Sequence, residues 1–422
     1  MQTEATLRPD EPAADPRQTA RTRRALGLIF FTMLMDIMGI SLLLPVAPQI
    51  VLQYSPDAFM VTLVTITYAA GQFLASPILG KLGDRFGRRP VLLLSILGQA
   101  AGYLVFGLSR SLPVLYLGRL IGGVTAGNLA TASAYIADVS RPEEQSKNFA
   151  LVGTAWSLGL IIGPALGGLF GQISLYAPAL LAAALALLNA GLGYFLLPES
   201  LPRERRDLSP WRARDFNPIL TIADMSRKPA LGLILLVYAL FAFAFNGATS
   251  TAALFIIQKF GAVTWQVSLM LVLGGLSVAL TNTFAVPPLI PRLGERLAGI
   301  LSLLGLGVAY LGMFFAPLLY LVFLMNMLAS FMNSFVFPVI TIMSAKRVTG
   351  REMGTLMGVN SAVGSLMGIF GPLWAGLVYD GVMPGAPFWM GALVLALAAW
   401  LLSRTAASAR VGEAAPAGGP GR

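Results

Sequence analysis

The sequence predicts an all-α membrane protein whose twelve transmembrane helices form two six-helix bundles related by pseudo-two-fold symmetry. Composition supports the membrane class, because 56% of the 422 residues are hydrophobic and only 11% are charged, whereas a soluble domain carries about 25% charged residues. The apolar residues occur in long continuous runs, as membrane helices require, and not in the alternating segments of about ten residues that build a membrane barrel.

Twelve apolar runs are long enough to cross a bilayer, which takes about 20 residues of helix. They cover residues 25–52, 59–79, 90–109, 112–137, 147–171, 174–197, 229–257, 264–289, 297–315, 317–344, 353–378 and 386–403. The polar stretch 198–228 is predicted to be a cytoplasmic linker between an N-terminal bundle, 25–197, and a C-terminal bundle, 229–403. The two polar ends, 1–24 and 404–422, are predicted to be disordered cytoplasmic tails.

The positive charges identify the cytoplasmic side of these spans. With twelve spans, 26 of the 29 Lys and Arg residues fall on one side, Arg110 and Lys259 fall on the other, and Arg119 lies inside a span. By the positive-inside rule, both termini are expected in the cytoplasm of a multi-pass protein of the plasma (inner) membrane. Topology therefore explains the net charge of +10, and no nucleic-acid partner is predicted.

The residue types that are missing limit the chemistry. The chain has no cysteine and no histidine, which excludes disulfides and thiol catalysis and leaves carboxylates as the groups that would bind protons. No P-loop pattern is present, so ATP is not the expected energy source. No catalytic cluster or metal site is visible. We therefore predict that the chain is not an enzyme, needs no cofactor and uses the proton gradient.

Two sequence patterns recur at equivalent places in the two halves. The run 85–89 after the second span has a counterpart at 292–296 after the eighth, and 163–168 in the fifth span has one at 371–376 in the eleventh. Repeats of this kind are typical of secondary transporters, whose substrate site lies near the middle of the membrane between the halves.

Asp36 and Arg119 are the charged residues predicted to lie deep in spans. At 1.5 Å per helical residue, Asp36 lies roughly 16 Å and Arg119 roughly 11 Å from the start of its span. An intramembrane charge costs at least about 2.5–3.5 kcal/mol, which favours a functional role. Desolvation raises the pKa of a carboxyl group and a nearby cation lowers it, so we expect Asp36 to bind the coupling proton and Arg119 to set the balance. The alternative is a static buried ion pair.

Several motifs together resemble the major facilitator superfamily, in its drug:proton antiporter branch. They are Gly80-Lys81-Leu82-Gly83-Asp84-Arg85-Phe86-Gly87-Arg88-Arg89, the run 117–123 around Arg119, and the stretch Gly159 to Gly168. The segments 36–39, 119–138 and 197–200 further resemble the tetracycline efflux pumps. The resemblance covers nearly the whole chain, is strongest in residues 30–200, and implies the major facilitator fold. It also implies that the arginine of the fourth span takes part in proton coupling.

The resemblance further implies a conformational latch between the halves. In the family, the acid equivalent to Asp84 holds the N-terminal half against the start of the eleventh span, which here begins near Arg351. The glycines of the run would permit a tight turn and close approach of backbones. The alternative is a solvated loop whose cations only fix topology. The predicted latch residues are Gly80, Gly83, Asp84, Arg85, Gly87, Arg88, Arg89 and Arg351.

Glycines in the fifth span recur at a spacing of four, which lets membrane helices approach closely. The resemblance implies that this surface faces the eighth span and seals an exporter against proton leak. The alternative is the general helix packing found in many membrane proteins. The predicted packing residues are Gly159, Gly163, Pro164, Gly167 and Gly168, and Gly171 continues the stripe.

Polar and aromatic residues within the spans are candidates for contact with substrate, because apolar walls with a few polar groups suit amphiphilic ligands. They are Tyr68, Gln72, Asn128, Phe241, Phe245, Asn246, Asn333 and Asn360. Each has the alternative of ordinary helix packing. The C-terminal half lacks the histidine and the intramembrane acids of the tetracycline pumps, which argues against tetracycline itself as the substrate. A single membrane acid argues against a divalent cationic drug.

The sequence thus predicts a proton-coupled antiporter that exports lipophilic or amphiphilic small molecules, tetracycline-like drugs among the candidates, by alternating access. A single membrane acid favours exchange for one proton, and a monomer suffices for this fold. A pH-independent facilitator, an importer or a lipid translocator on the same fold remain alternatives.

Overall fold

The computed structural model describes residues 16–126, 128–140, 144–206, 218–228, 231–349 and 352–405, and within these ranges the regular structure is entirely helical. The α-helices are α1 (Pro16–Leu42), α2 (Ala47–Leu52), α3 (Ala58–Phe86), α4 (Arg88–Gly107), α5 (Leu112–Val124), α6 (Asn128–Val139), α7 (Gln145–Gly171), α8 (Ala177–Leu196), α9 (Pro218–Ser226), α10 (Leu231–Phe260), α11 (Thr264–Leu280), α12 (Val286–Leu293), α13 (Glu295–Phe315), α14 (Leu319–Ala345), α15 (Met353–Gly381) and α16 (Ala386–Arg404).

Eleven helical segments of the described chain are long and apolar enough to cross a membrane, and the shorter apolar helix α5 belongs to the remaining predicted span. That fourth span consists of α5 and α6. Thr125, at the end of α5, turns its hydroxyl back to the Ile121 carbonyl at 2.9 Å, a bond that competes with helix continuation. Span 1 is α1 with α2, span 8 is α11 and α12 joined by a π-helical turn at Thr281–Ala285, and the other spans are single helices.

Two predicted boundaries are corrected, those of the N-terminal tail and of the second span. The described part of the N-terminal tail is helical, since α1 begins at Pro16, and the predictions for 1–15 and 406–422 lie outside the described residues. The linker contains a short 3-10 turn, Arg203–Arg205, and helix α9. The second span continues through the charged run to Phe86, because hydropathy marks where a helix leaves the bilayer and not where it ends.

Single glycines join the second span to the third and the eighth to the ninth. Gly87 has φ +107° and Gly294 has φ +76°, a region of backbone conformation that glycine adopts without steric cost. The two links occupy the positions that the sequence repeat matched. The repeat therefore reports a shared backbone turn in the two bundles.

The two bundles also use the repeated Gly-Pro sites in the same way. A Cβ atom at Gly163 would lie 1.9 Å from Ser41 Oγ, and one at Gly371 would lie 2.5 Å from the Phe243 carbonyl oxygen. Gly163 thus packs span 5 onto span 1, and Gly371 packs span 11 onto span 7. These equivalent contacts give the bundles their pseudo-two-fold relation.

The halves meet closely at the membrane face away from the chain ends, here called the opposite face; the terminal face is where α1 begins and α16 ends. A Cβ at Gly168 would lie 2.3 Å from Ser268 Oγ, and one at Gly376 would lie 2.5 Å from Thr62 Oγ1. The contacts join spans 5 and 8 and spans 11 and 2. Glycine is needed at both because any side chain would separate the helices.

The same helices have open space near the terminal face. A Cβ added at Gly80, Gly153 or Gly358, in spans 2, 5 and 11, would meet no atom within 4 Å. Leu74 of span 2 is 69% exposed and Trp156 of span 5 is 46% exposed. The two bundles are therefore in contact at the opposite face and parted toward the terminal face.

Candidate transport site

A group of polar side chains lies inside the N-terminal bundle, and we call it the polar cluster: Asp36, Tyr68, Gln99, Tyr103 and Arg119. Asp36 is half-buried and the other four are buried. The Gln99 amide donates to Asp36 Oδ1 at 2.8 Å. The guanidinium of Arg119 lies 4.4 Å from the centre of the Tyr68 ring, a cation–π contact. Both tyrosine hydroxyls lie within electrostatic range of Asp36. Four helices, α1, α3, α4 and α5, contribute to the cluster.

Small residues allow these helices to approach so closely. A Cβ at Gly39 would lie 2.9 Å from the Tyr103 hydroxyl, and one at Gly123 would lie 2.2 Å from the Tyr68 carbonyl oxygen. Arg119 Nε also donates to the Val64 carbonyl at 3.4 Å, which fixes the arginine against span 2. Substitution of either glycine would displace the tyrosine beside it.

Three polar atoms of the cluster are buried without a hydrogen-bond partner among the described residues: Tyr68 Oη, Tyr103 Oη and Gln99 Oε1. Buried polar groups are nearly always hydrogen-bonded, so exceptions of this kind are typical of functional sites. Hydroxyl groups both donate and accept hydrogen bonds, and they can therefore join a carboxyl group to water along a proton path.

A cavity of about 420 Å³ lies between the bundles, with walls from both. Its surface is mainly apolar, and its charged residue is Arg119 of the polar cluster. Asp36 is not part of the lining but lies one helical turn from Ile40, which is, and residues four apart share one face of a helix. The neutral polar lining residues are Thr65, Thr249, Ser250, Asn326, Ser330 and Asn333.

The cavity brings together only some of the predicted substrate residues. Phe245 and Asn333 line it. Phe241 lies beneath Phe245, with ring centres 5.7 Å apart. Tyr68 and Gln72 do not line it. The Tyr68 ring is covered by the Arg119 guanidinium, and the Gln72 amide lies 3.5 Å from the Ala126 carbonyl oxygen.

Of the three remaining predicted substrate residues, Asn246 and Asn360 do not line this cavity. Asn246 donates to the Ala242 carbonyl at 2.7 Å and packs beside Gly371 of span 11. Asn360 is 2% exposed, and neither polar atom of its amide has a partner among the described residues. Asn128 begins α6, and its side chain lies outside the described atoms.

Sequence reasoning missed Gln99, Tyr103 and the cavity residues Thr65 and Ser330. Gln99 carried a signal, since an amide in an otherwise apolar span needs a polar partner. The hydroxyl residues carried none, because Ser and Thr bond to the carbonyl of their own helix and are common in membrane spans.

The predicted latch run is mainly helical and not a loop. Asp84 pairs with Arg88 one turn away at 2.6 Å, and Arg88 Nε reaches Asp138 of α6 at 3.4 Å. Only Gly87 makes the turn, so the expectation that Gly80 and Gly83 form it is corrected. Lys81 and Arg85 lie on α3, Arg89 lies on the first turn of α4, and Arg351 is outside the described residues.

The segment after α8 fastens this corner of the N-terminal bundle. The Glu199 carboxylate accepts from the backbone N–H of Arg88 at 2.9 Å and of Arg89 at 3.3 Å, which caps α4. Ser200 Oγ donates to Asp138 at 3.0 Å. A Cβ at Gly87 would lie 2.4 Å from Glu199 Oε2, so the glycine is needed for the capping carboxylate as well as for the turn.

The glycine stripe of span 5 faces span 1 and not span 8, which corrects the expectation for three of its members. Glycines 159, 163 and 167 approach Ile37, Ser41 and Leu42, and only Gly168 approaches Ser268 of span 8. The Ser41 hydroxyl donates to the carbonyl of residue 159 at 2.8 Å. Gly168 and Gly171, which also approaches Thr264, make the contact between halves, and Pro164 lines the cavity.

A contact that we call the Asp380 clasp closes the opposite face. The carboxylate of Asp380, at the end of span 11, accepts from the backbone N–H of Ala58 and of Phe59, each at 2.9 Å. These are free donors of the first turn of span 2. On the other side of the same face, Thr264 Oγ1 donates to Gln49 Oε1 at 2.8 Å. The clasp joins the two halves through a charge at a helix N-terminus.

Comparisons with known proteins agree with this architecture. The sequence model described as Major Facilitator Superfamily matches residues 29–332 and 266–420. Tetracycline resistance protein, class C, of Escherichia coli is 33% identical over 363 residues, which cover 85% of this chain and 90% of that protein. Multidrug resistance protein 2 of Bacillus subtilis is 28% identical over 83% of this chain and 89% of its own length.

Solved structures match over nearly the whole chain. The structure titled human organic anion transporter MFSD10 (TETRAN) has a TM-score of 0.71 and 29% identity, covering 90% of this chain and 99% of that one. An inward-facing, occupied bacterial homologue of Spinster has a TM-score of 0.71 at 19% identity, covering 93% and 98% of the two chains. The second likeness concerns the fold alone.

Proposed function

Because the chain belongs to the major facilitator superfamily, we propose that it is a proton-coupled antiporter that exports lipophilic or amphiphilic small molecules by alternating access. The observation that carries the proposal is the position of Asp36, half-buried in the polar cluster one turn from a cavity between the bundles. A proton site and a substrate site side by side are what exchange requires.

In this mechanism Asp36 binds the proton and Arg119 tunes its affinity. Desolvation favours the neutral carboxyl group, while the arginine favours the carboxylate, so modest changes in their surroundings move the proton on or off. The buried hydroxyls of Tyr68 and Tyr103 supply groups through which water could reach Asp36. The bundles then rock about the cavity and expose it to one face at a time.

The proposed substrates follow from the cavity walls. Apolar surface with a few convergent polar groups suits flat amphiphilic molecules, and the names of the relatives cover tetracycline, multiple drugs and organic anions. In this proposal Phe245 and Asn333 of the cavity wall contact the substrate, and Phe241 packs against the Phe245 ring and supports it.

We further propose that the terminal face is cytoplasmic, in the inner membrane, and that the chain works as a monomer. The distribution of Lys and Arg supports this orientation. The cavity would then face the cytoplasm in the present arrangement, ready to receive substrate for export. Green fluorescent protein fused after Arg422 tests the orientation, because it fluoresces only when its site of attachment is cytoplasmic.

The latch remains a proposal of the same mechanism. Asp84 pairs with Arg88 while the halves are parted at the terminal face. On closure there, it would exchange this partner for the N-terminus of span 11, whose dipole attracts a carboxylate.

The test uses purified protein in liposomes with an imposed pH gradient. Wild-type protein should accumulate a lipophilic drug only while the gradient lasts, and Asp36→Asn should abolish gradient-driven transport while retaining exchange of unlabelled for labelled drug. Asp57→Asn, which removes an exposed carboxyl group from the opposite face, is the matched control. Gradient-driven transport by the Asp36→Asn variant would refute the proton site. Transport by the wild type that ignores pH would indicate a facilitator instead.

A further inference from the structure

We propose that the cavity selects amphiphilic organic anions and that the Arg119 guanidinium binds their negative charge. The inference rests on the proposed function, since it names the substrate class of the same site. It comes from the distribution of charge around the cavity and from the free donors of one buried side chain.

The described lining of the cavity carries charge of one sign. Among the described residues that form the cavity wall, Arg119 is the only one with a charged side chain, and the neutral polar groups are hydroxyls and the amides of Asn326 and Asn333. The remaining wall is aliphatic and aromatic. A ligand in this cavity therefore meets a single positive charge in surroundings of low polarity, where electrostatic interactions are stronger than in water.

Arg119 has donors to spare for a ligand. It is 8% exposed, and its contacts are a 3.4 Å bond from Nε to the Val64 carbonyl and the face of the Tyr68 ring. No hydrogen bond joins its terminal nitrogens to the described residues. A guanidinium carries five N–H donors in a planar fork, and a carboxylate or sulfonate accepts two of them at once. The ring on one face holds that fork in place.

The other charge types fit less well. A cationic ligand would meet a like charge with no acid in the described lining to offset it. A neutral ligand without an acceptor group would leave the terminal nitrogens of the desolvated guanidinium without a hydrogen bond from the cavity. Asp36 belongs to the same cluster, but its carboxylate is held by the Gln99 amide and lies outside the cavity lining. An anion bound in the cavity therefore contacts Arg119 and not Asp36.

Binding to the purified full-length protein, measured by fluorescence, tests the inference with three matched probes: pyrenebutyrate, its amide and the corresponding pyrenebutylamine. The anion should bind at least tenfold more tightly than the amide, and the amine should bind most weakly. Arg119→Gln should bring the anion and the amide to equal affinity, while Arg119→Lys should keep part of the preference. Equal binding of anion and amide by the wild type, or an unchanged preference in Arg119→Gln, would overturn the inference.

A second variant leaves Arg119 in place, in case its loss prevents folding. Asn333→Asp adds a carboxylate to the opposite wall and should reduce the anion preference at least tenfold, whereas the control Asn333→Ala should keep it. An unchanged preference in Asn333→Asp would count against the inference.

Transport in liposomes separates this inference from the proposed antiport. Export of one monoanion in exchange for one proton moves two charges across the membrane per cycle, so a potassium diffusion potential should accelerate it. If pyrenebutyrate binds tightly through Arg119 but is not exchanged for protons, or is carried in the same direction as protons, the antiport is refuted and the anion site stands. If the amide and the anion are exchanged for protons at equal rates, the antiport stands and the anion site is refuted.

Discussion

Removal of the Asp380 clasp should open the opposite face of the protein. The carboxylate accepts two backbone N–H groups of span 2 at 2.9 Å each, and this bond joins the two halves. Asp380→Asn keeps the size of the side chain, removes the charge and leaves one oxygen acceptor. The change therefore acts on the contact and not on the packing around it.

The size of the effect can be estimated from those two bonds. A hydrogen bond to a charged group contributes about 1.5–3 kcal/mol, and the attraction of a carboxylate to a helix N-terminus about 0.3–1 kcal/mol. Asp380 is exposed, which places the loss at the lower end. A loss of about 1.4–2 kcal/mol shifts the equilibrium toward opening at this face by roughly tenfold to thirtyfold.

The natural absence of cysteine provides the assay. Val61 is 4% exposed and lines the cavity near the opposite face, so a cysteine there reports opening. A membrane-impermeant maleimide, added to the opposite face of sealed vesicles, should label Val61→Cys roughly tenfold faster when Asp380→Asn is also present.

Asp57→Asn is the control, because Asp57 precedes the same helix but its carboxylate contacts Ser55 instead of the helix donors. Its labelling rate should equal that of the parent. Equal rates in the Asp380→Asn and Asp57→Asn variants would refute the role assigned to the clasp.

Three further predictions concern other parts of the protein. Asp84→Asn should slow the interconversion of the two states severalfold while drug binding stays unchanged, which stopped-flow fluorescence of a labelled cysteine variant would detect; an unaltered rate would count against the latch. Gly163→Ala should lower the free energy of unfolding by about 1–3 kcal/mol, since overpacking strains a tight interface, whereas Gly153→Ala should be neutral because a Cβ there meets no atom within 4 Å; equal stability of the two would contradict the packing. The hydrogen bond from Lys228, with a second from a backbone N–H, holds the pKa of Glu352 below its usual value. The stabilisation is therefore present above the ordinary carboxyl pKa and is lost as pH falls through the lowered one. Glu352→Gln should lower the Tm at pH 7, and the difference from the wild type should shrink as the pH falls through that lowered pKa.

The sequence located the spans and the buried charges because both obey local physical rules. Hydropathy marks segments that can cross a bilayer, and Asp36 and Arg119 stand out since charge inside the membrane is costly. The runs that repeat at equivalent places in the two halves each contain a glycine link, Gly87 in one and Gly294 in the other.

The errors have an equally physical origin. The run 80–86 was expected to form a loop because it is charged. Helix α3 instead continues into the membrane–water interface, where long Lys and Arg side chains place their charged ends in water. Three glycines of the span 5 stripe, at 159, 163 and 167, were assigned to span 8 but pack on span 1, since glycine spacing predicts a close contact without naming the partner. Gln99 and Tyr103 were missed because their role depends on three other helices that bring them to Asp36.

One consequence of the clasp concerns spans 2 and 11 as an antiparallel pair. Each ends near an aspartate, Asp84 at one membrane face and Asp380 at the other. If each carboxylate secures the face at which it lies, the resting population depends only on the difference between the two contacts. Weakening both by equal amounts would then leave the ratio of states unchanged. A double variant would then favour neither side, whereas each single variant would favour one.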